Sequence, residues 1–292
     1  MFNASKVKNS TLIGVELNLI SLLFSSIAPI LNKFALVSLN PIIGGFFTSF
    51  FAMLLTGGVV IAQAHRIAII KNPWFFLLGA TNAVGVLLQY VALSLLSPVT
   101  VTLIARIYLV YVFFLGWFFL KEGLQAWDYV AIITCIAGSI LVSGGRAQVD
   151  SAWGLLCAFL YPFMYAANNV IAKALVKDTA SSTTLFYNHL VSAVVLLVCT
   201  FFTPQVWQGL SARAIAFNFG GALCNGFMSL LLFYTSLKFI TAGHANIVRA
   251  LGPLVVIAYS AFFFPISITP SIVGGAILLI IATAIVTTKH QN

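Results

Sequence analysis

The chain is 292 residues long, 61% hydrophobic and only 7% charged, with a mean hydropathy of +1.09. Ordinary soluble domains are about a quarter charged, so a water-soluble fold is excluded. The net charge of +9 comes from Lys and Arg residues scattered singly between apolar runs, which excludes a nucleic-acid patch and fits membrane topology.

Apolar runs recur along the whole chain, and each is long enough to cross about 30 Å of hydrocarbon at about 1.5 Å per residue. The first run, near Gly14 to Lys33, follows a tail carrying Lys6 and Lys8, as a signal peptide would. It is too long for one and lacks an A-x-A-like exit, so it reads as a retained span. In chain order the pattern predicts ten helices, near 13–33, 42–63, 74–95, 99–119, 126–144, 152–174, 183–203, 214–237, 244–264 and 270–288. Pro41, Pro73, Pro98, Gly144-Gly145, Pro204 and Pro270 mark the joints, where interrupting a helix costs least. No segment remains for a soluble domain.

Ten spans bring both termini to one side. If that side is the cytoplasm, Lys6, Lys8, Arg66, Lys71, Lys121, Lys173, Lys177, Lys238 and Lys289 lie inside, whereas Lys33, Arg146 and Arg213 lie outside. Arg106 and Arg249 fall within spans. The positive-inside rule therefore predicts a multi-pass protein with both termini cytoplasmic, and a bacterial inner membrane is the expected host. Cys135, Cys157, Cys199 and Cys224 all sit in apolar runs without CxxC spacing, so they read as small buried hydrophobes, and no metal site is expected.

The chain also resembles itself. A shift of 140 residues lays Gly14 on Gly154 and Lys33 on Lys173, with PILNKFAL at 29–36 over NVIAKALV at 169–176. A shift of 144 lays LLQYVALSLLSP at 87–98 over LLFYTSLKFITA at 231–242, pairing Tyr90 with Tyr234 and Leu93 with Leu237. Two halves, 1–145 and 146–292, each hold five predicted helices. An odd number of spans inserts the second half upside down, giving an inverted repeat, the arrangement that lets one structure open to either side in turn.

Lys33 in NKFAL at the end of the first span, SPVT at 97–100 and FFLKEGL at 118–124 resemble the drug/metabolite transporter superfamily, in particular its EamA-type branch. NKFAL is also similar to the first-helix ending of sugar-phosphate translocators in that superfamily. The resemblance implies ten helices, a cavity between the halves, and spans five and ten set away from the solute path. One departure stands out: FFFPISI at 262–268 places Ile266 where the repeat would put a counterpart of Glu122.

Polar side chains in hydrocarbon are costly and turn toward the bundle interior. At about 100° per residue, Asn18, Ser21, Ser25, Pro29 and Asn32 form one stripe on the first span, and the repeat sets Tyr161, Tyr165 and Asn169 opposite Ser21, Ser25 and Pro29. Asn82 and Gln89 share a face of span three; Asn218, Asn225 and Ser229 do so on span eight, and Asn246, Arg249, Pro253 and Ser260 on span nine. Tyr108 and Tyr111 lie beside Arg106. His189 and Asn188 lie in span seven, where a hydrogen-bonded histidine is the plainer reading. Spans five and ten carry few polar residues and read as packing helices, a possible homodimer face.

Arg106 and Arg249 occupy paired helices without a carboxylate at comparable depth. Arginine keeps its proton, and burying it costs from about 2.5 kcal/mol upward, so either a solute carboxylate or phosphate supplies the counter-charge, or each side chain snorkels to the interface or bonds to broken-helix carbonyls. The expected solute-binding set is Arg106, Arg249, Tyr108, Tyr161, Tyr165, Asn169, Asn82, Gln89, Asn246, Asn18 and Ser25. No GxxxxGK, HExxH or paired intramembrane carboxylates occur, so neither an enzyme nor an ATP-driven pump is expected, and no cofactor. The sequence therefore reads as a secondary transporter of a carboxylate-bearing metabolite such as an amino acid. Export of apolar or cationic compounds, exchange of a sugar-phosphate-like anion, and a receptor or scaffold role are the alternatives.

Overall fold

The computed structural model describes residues 4–35, 37–63, 72–96, 104, 107–123, 125–143, 151–208, 210–260 and 269–289. The SPVT joint, Gly144-Gly145 and Ile266 lie outside the described residues. The helices are α1 (Ala4–Ala35), α2 (Pro41–Ala62), α3 (Pro73–Leu95), α4 (Tyr108–Leu120), α5 (Ala126–Ser143), α6 (Ala152–Leu175), α7 (Ser181–Phe201), α8 (Ala212–Ser236), α9 (Ala242–Arg249), α10 (Gly252–Ser260) and α11 (Pro270–Lys289). A 3₁₀ turn, Pro204–Trp207, joins α7 to α8. There is no strand among the described residues.

Local chemistry sets the boundaries. Asn40 and Asn72 accept from the N–H groups of Ile42 and Trp74 and precede Pro41 and Pro73, which lack the N–H a first helical turn would leave unsatisfied. Ser151, Ser211 and Thr241 cap α6, α8 and α9 in the same way. α4 ends on Lys121, which takes the left-handed conformation at φ 56° that glycine usually supplies. Among the described residues five helices, Thr11–Asn32, Pro41–Ala62, Ala152–Leu175, Ser181–Phe201 and Ala212–Ser236, are long and apolar enough to cross a membrane, and α3, α4, α5 and α11 contain shorter apolar stretches.

Two elements depart from the sequence expectation. The ninth predicted helix, 244–264, is broken at Ala250-Leu251 into α9 and α10. Pro253 has no N–H for the Arg249 carbonyl. The eighth is continuous but turns π-helical over Ala222–Ser229.

The helices of each half make their main contacts with the other half. α1 packs on α8, α9 and α10, while α6 packs on α3 and α4. α3 also meets α7, and α2 meets α8; α2 pairs with α7, α4 with α9, and α5 with α11. Exchanging each helix with its counterpart five spans on maps this set of contacts onto itself.

Small residues allow the closest crossings. A Cβ at Gly79 of α3 would collide with the Val191 side chain of α7 and lie 2.8 Å from the Asn188 carbonyl oxygen. At Gly58 of α2 nothing lies within 4 Å of the same position. Overpacking costs about 1–3 kcal/mol, more than the roughly 1 kcal/mol that alanine gains over glycine within a helix. Gly79→Ala should therefore lower the melting temperature of the purified protein, and Gly58→Ala should leave it unchanged or slightly raised.

Candidate functional site

The apolar core is distributed unevenly along the bundle. At the end carrying the start of α1 and the close of α11, one continuous cluster joins Val15, Val60, Leu78, Leu115, Leu175, Leu185, Leu237 and Ile240, drawn from six helices and the α8–α9 connection. At the other end the core is divided. Ala92, Leu96, Cys157 and Ala158 form one cluster between α3 and α6, and Ala35, Leu39, Ile43 and Ala214 form another among α1, α2 and α8. These two clusters belong to helix pairs that exchange under the repeat.

A cavity of about 590 Å³ lies in the polar middle of the bundle and reaches toward the divided end, where Asn32, Gly45 and Gln89 line it. That volume falls within the usual range for small-molecule sites. Eight of the expected residues line it: Arg249, Tyr108, Tyr161, Tyr165, Asn169, Asn82, Gln89 and Asn246. Arg106 lies outside the described residues, as do the side chains of Pro29, Lys33, Tyr90, Pro253 and Ser260. No residue of α5 or α11 is among the lining residues.

Asn18 and Ser25 are not part of this lining. The Asn18 amide donates to the Ala245 carbonyl at 2.6 Å, Ser21 donates to the Ser229 carbonyl at 2.9 Å, and Ser25 bonds back to Leu22 of its own helix at 3.0 Å. The α1 stripe is thus mainly a seam against α8 and α9, and of the described side chains in it only Asn32 lines the cavity. Helical periodicity placed the stripe on an inward face correctly; where helices cross tightly, a neighbouring carbonyl takes up such a side chain.

The wall is tied together by polar bonds. The Tyr108 hydroxyl donates to Asn246 Oδ1 at 2.7 Å and accepts from the Asn169 amide, joining α4, α6 and α9. Tyr165 donates to Gln89 Oε1 at 2.9 Å, and Asn82 donates to Ser192 Oγ at 2.8 Å. Tyr161 and Tyr165 meet edge-to-face, with ring centroids 5.9 Å apart.

Arg249 ends α9, where the negative end of the helix dipole favours a cation. Its Nη2 donates to Ser229 Oγ at 2.8 Å and to Ser21 Oγ at 3.4 Å, and the guanidinium lies 4.4 Å from the Phe233 ring centroid. No carboxylate pairs with it among the described residues; Asp128 of α5 instead meets His244 of α9, at 2.9 Å. Two hydroxyls and an aromatic face leave the positive charge uncancelled beside the cavity.

The sequence reading passed over Thr48, Ser49, Asn168 and Gly226, which also line the cavity, and it named His189 and Asn225 without placing them in the expected solute-binding set. His189 Nε2 meets the Gly226 carbonyl oxygen at 2.8 Å. The π-helical stretch supplies both this carbonyl and Ser229, and no periodicity rule signals a π turn. At the sealed end, Lys173 of α6 donates to the Leu237 and Ile240 carbonyls, the latter at 2.7 Å, and so caps α8. Beside it Glu122, in the α4–α5 connection, accepts from the Ala242 N–H at 3.4 Å. Burial pushes its carboxyl above the ordinary range, an effect that Lys173 offsets in part.

A model of the EamA-like transporter family matches the chain twice, over residues 12–144 and 152–288. An S-adenosylmethionine uptake transporter from Rickettsia bellii (strain RML369-C) is 25% identical over 279 residues, covering 93% of this chain and 92% of that protein. A solved crystal structure superposes with a TM-score of 0.79 at 15% identity, over 96% of this chain and 99% of its own, a likeness of fold alone.

The Tyr108 hydroxyl is the node of the wall. Tyr108→Phe removes one hydrogen bond from each of Asn169 and Asn246, which keep a direct bond to one another at 3.4 Å, and should cost about 1 kcal/mol, read as a lower melting temperature of the solute-free protein.

Proposed function

We propose, from the premise that this chain belongs to the EamA-like transporter family and is an integral membrane protein that carries small molecules, that it is a secondary carrier for a metabolite bearing a carboxylate. S-adenosylmethionine, named by the Rickettsia relative, is the first candidate. Arg249 carries the reading. A permanent cation held beside a cavity by hydroxyls and a ring, with no acid to cancel it, favours a solute that brings the missing negative charge. The methionine portion of the candidate offers a carboxylate, and the Tyr161 and Tyr165 rings offer faces and edges for an adenine. The same Arg opposes a purely cationic solute, whereas a phosphate remains a distinguishable outcome of the tests below.

The transport step in this reading is alternating access between two inverted five-helix repeats, residues 1–145 and 146–292, with ten spans and both termini cytoplasmic. The self-exchanging contacts between halves support it, and so does the contrast between one continuous core and two divided clusters. On this reading the sealed end faces the cytoplasm and the cavity faces outward. The opposite state forms when the α3–α6 and α1–α8 pairs close together and the end held by Lys173 parts. The exposed apolar faces of α5 and α11 are where a homodimer would meet.

Cysteines placed singly at Gln89 and Tyr161, in a background without the four native cysteines, should react with membrane-impermeant thiol reagents from outside, and one at Leu237 should not. Labelling of Leu237 alone from outside would reverse the orientation.

In proteoliposomes, uptake of labelled S-adenosylmethionine should fall about tenfold or more in Arg249→Lys, which keeps the charge but loses the planar fork that grips a carboxylate. Arg106→Gln should shift preference toward neutral and cationic analogues, because it removes a repulsive charge as well as an attractive one. If folded protein of both variants keeps the wild-type affinity for anionic and cationic solutes alike, the carboxylate reading fails.

A further inference from the structure

The bond from His189 to Gly226 fixes which ring nitrogen carries the proton. A carbonyl oxygen only accepts, so Nε2 is the donor and Nδ1 of the neutral ring is an acceptor. Nδ1 is buried and has no hydrogen-bond partner among the described residues, although His189 lines the cavity and is only 3% exposed. A buried acceptor left unmet costs about 1–3 kcal/mol, so this atom calls for a donor. Protonating the ring would not help, because it would turn an unmet acceptor into an unmet donor.

The position of the ring relates it to the cation. Gly226, which holds His189, and Ser229, which holds Arg249, are three residues apart in the same π-helical stretch, roughly 4 Å along the axis. A second residue of the cavity lining, Asn32, also has a buried acceptor without a partner among the described residues, its Oδ1, which packs against Gly221 just before that stretch. One short segment of α8 therefore gathers a cation that wants an anion and acceptors that want donors. An α-amino acid head group presents both within a few ångströms.

We propose that His189 is a specificity-determining residue whose Nδ1 accepts a hydrogen bond from the α-ammonium of the solute, so that the cavity selects a zwitterionic amino-acid head over a simple carboxylate. This rests on the carboxylate reading of Arg249 and adds the second pole. His189 then does two separable things: its Nε2–H braces the π turn, and its Nδ1 reads the solute.

Two isosteric substitutions separate the roles, since glutamine can place an N–H near the Nε2 position without an acceptor at Nδ1, while asparagine places an amide near Nδ1 and abandons Gly226. The measurement is equilibrium binding to purified full-length protein of two probes, S-adenosylmethionine and its analogue lacking the α-amine, with melting temperature as the structural readout. Wild type should prefer the amine-bearing probe by about tenfold, the worth of one hydrogen bond to a charged group. His189→Gln should melt near wild type but bind the two probes alike, whereas His189→Asn should melt lower and retain part of the preference. If wild type binds both probes equally, or if His189→Gln keeps the tenfold preference, the His189 assignment is overturned and the carboxylate reading stands. If wild type binds neither probe, both fall together.

Discussion

The buried guanidinium of Arg249 is the constraint around which the site is built. It cannot lose its proton, and at its depth in the bundle it must be met by dipoles or by a counter-ion. The protein supplies the carboxyl end of α9, two serine hydroxyls from α1 and α8, and the face of Phe233, and among the described residues no carboxylate pairs with it. Had an acid been placed beside it, the charge would be spent inside the protein.

Holding that charge requires departures from regular helix. A straight α9 running on through Pro253 would carry an unsatisfied carbonyl and a ring clash; the chain instead breaks after Arg249, so the side chain projects from a helix end. On α8 the π turn widens the backbone, and Gly226, where a Cβ would lie 2.9 Å from that of Ala52, lets α2 approach. The carbonyl of Gly226 goes to His189 and the hydroxyl of Ser229 to Arg249. One local distortion thus orients two side chains from different helices.

The packing surrounding this centre is asymmetric although the contact plan is symmetric. Every main helix pairing between the halves has its exchanged counterpart, yet only one end has a continuous core. Lys173 strengthens that end by taking up carbonyls that the last turn of α8 would leave unpaired, as a cation at a helix carboxyl terminus does well. The two divided clusters at the other end are each a complete packing unit.

Much of this was legible without coordinates. Apolar run length and Asn-Pro joints placed α2 and α3 within a residue of where they begin, since hydrocarbon thickness and the missing proline N–H act locally. The cost of polar atoms in an apolar medium picked out Arg249, Tyr108, Tyr161, Tyr165, Asn169, Asn82, Gln89 and Asn246, which do share one cavity. The same rule could not tell a cavity wall from a helix seam, and so grouped Asn18 and Ser25 with them. Both faces point inward, and only the neighbouring helix decides whether a carbonyl or open space awaits the side chain. The π turn of α8, the Ser229 hydroxyl that meets Arg249, and the unmet nitrogen of His189 depend on contacts between residues tens to hundreds of positions apart. Hydrophobic pattern determines which segments are buried, because burial is a property of each residue's own chemistry; which polar groups are left without partners is decided when the helices close on one another.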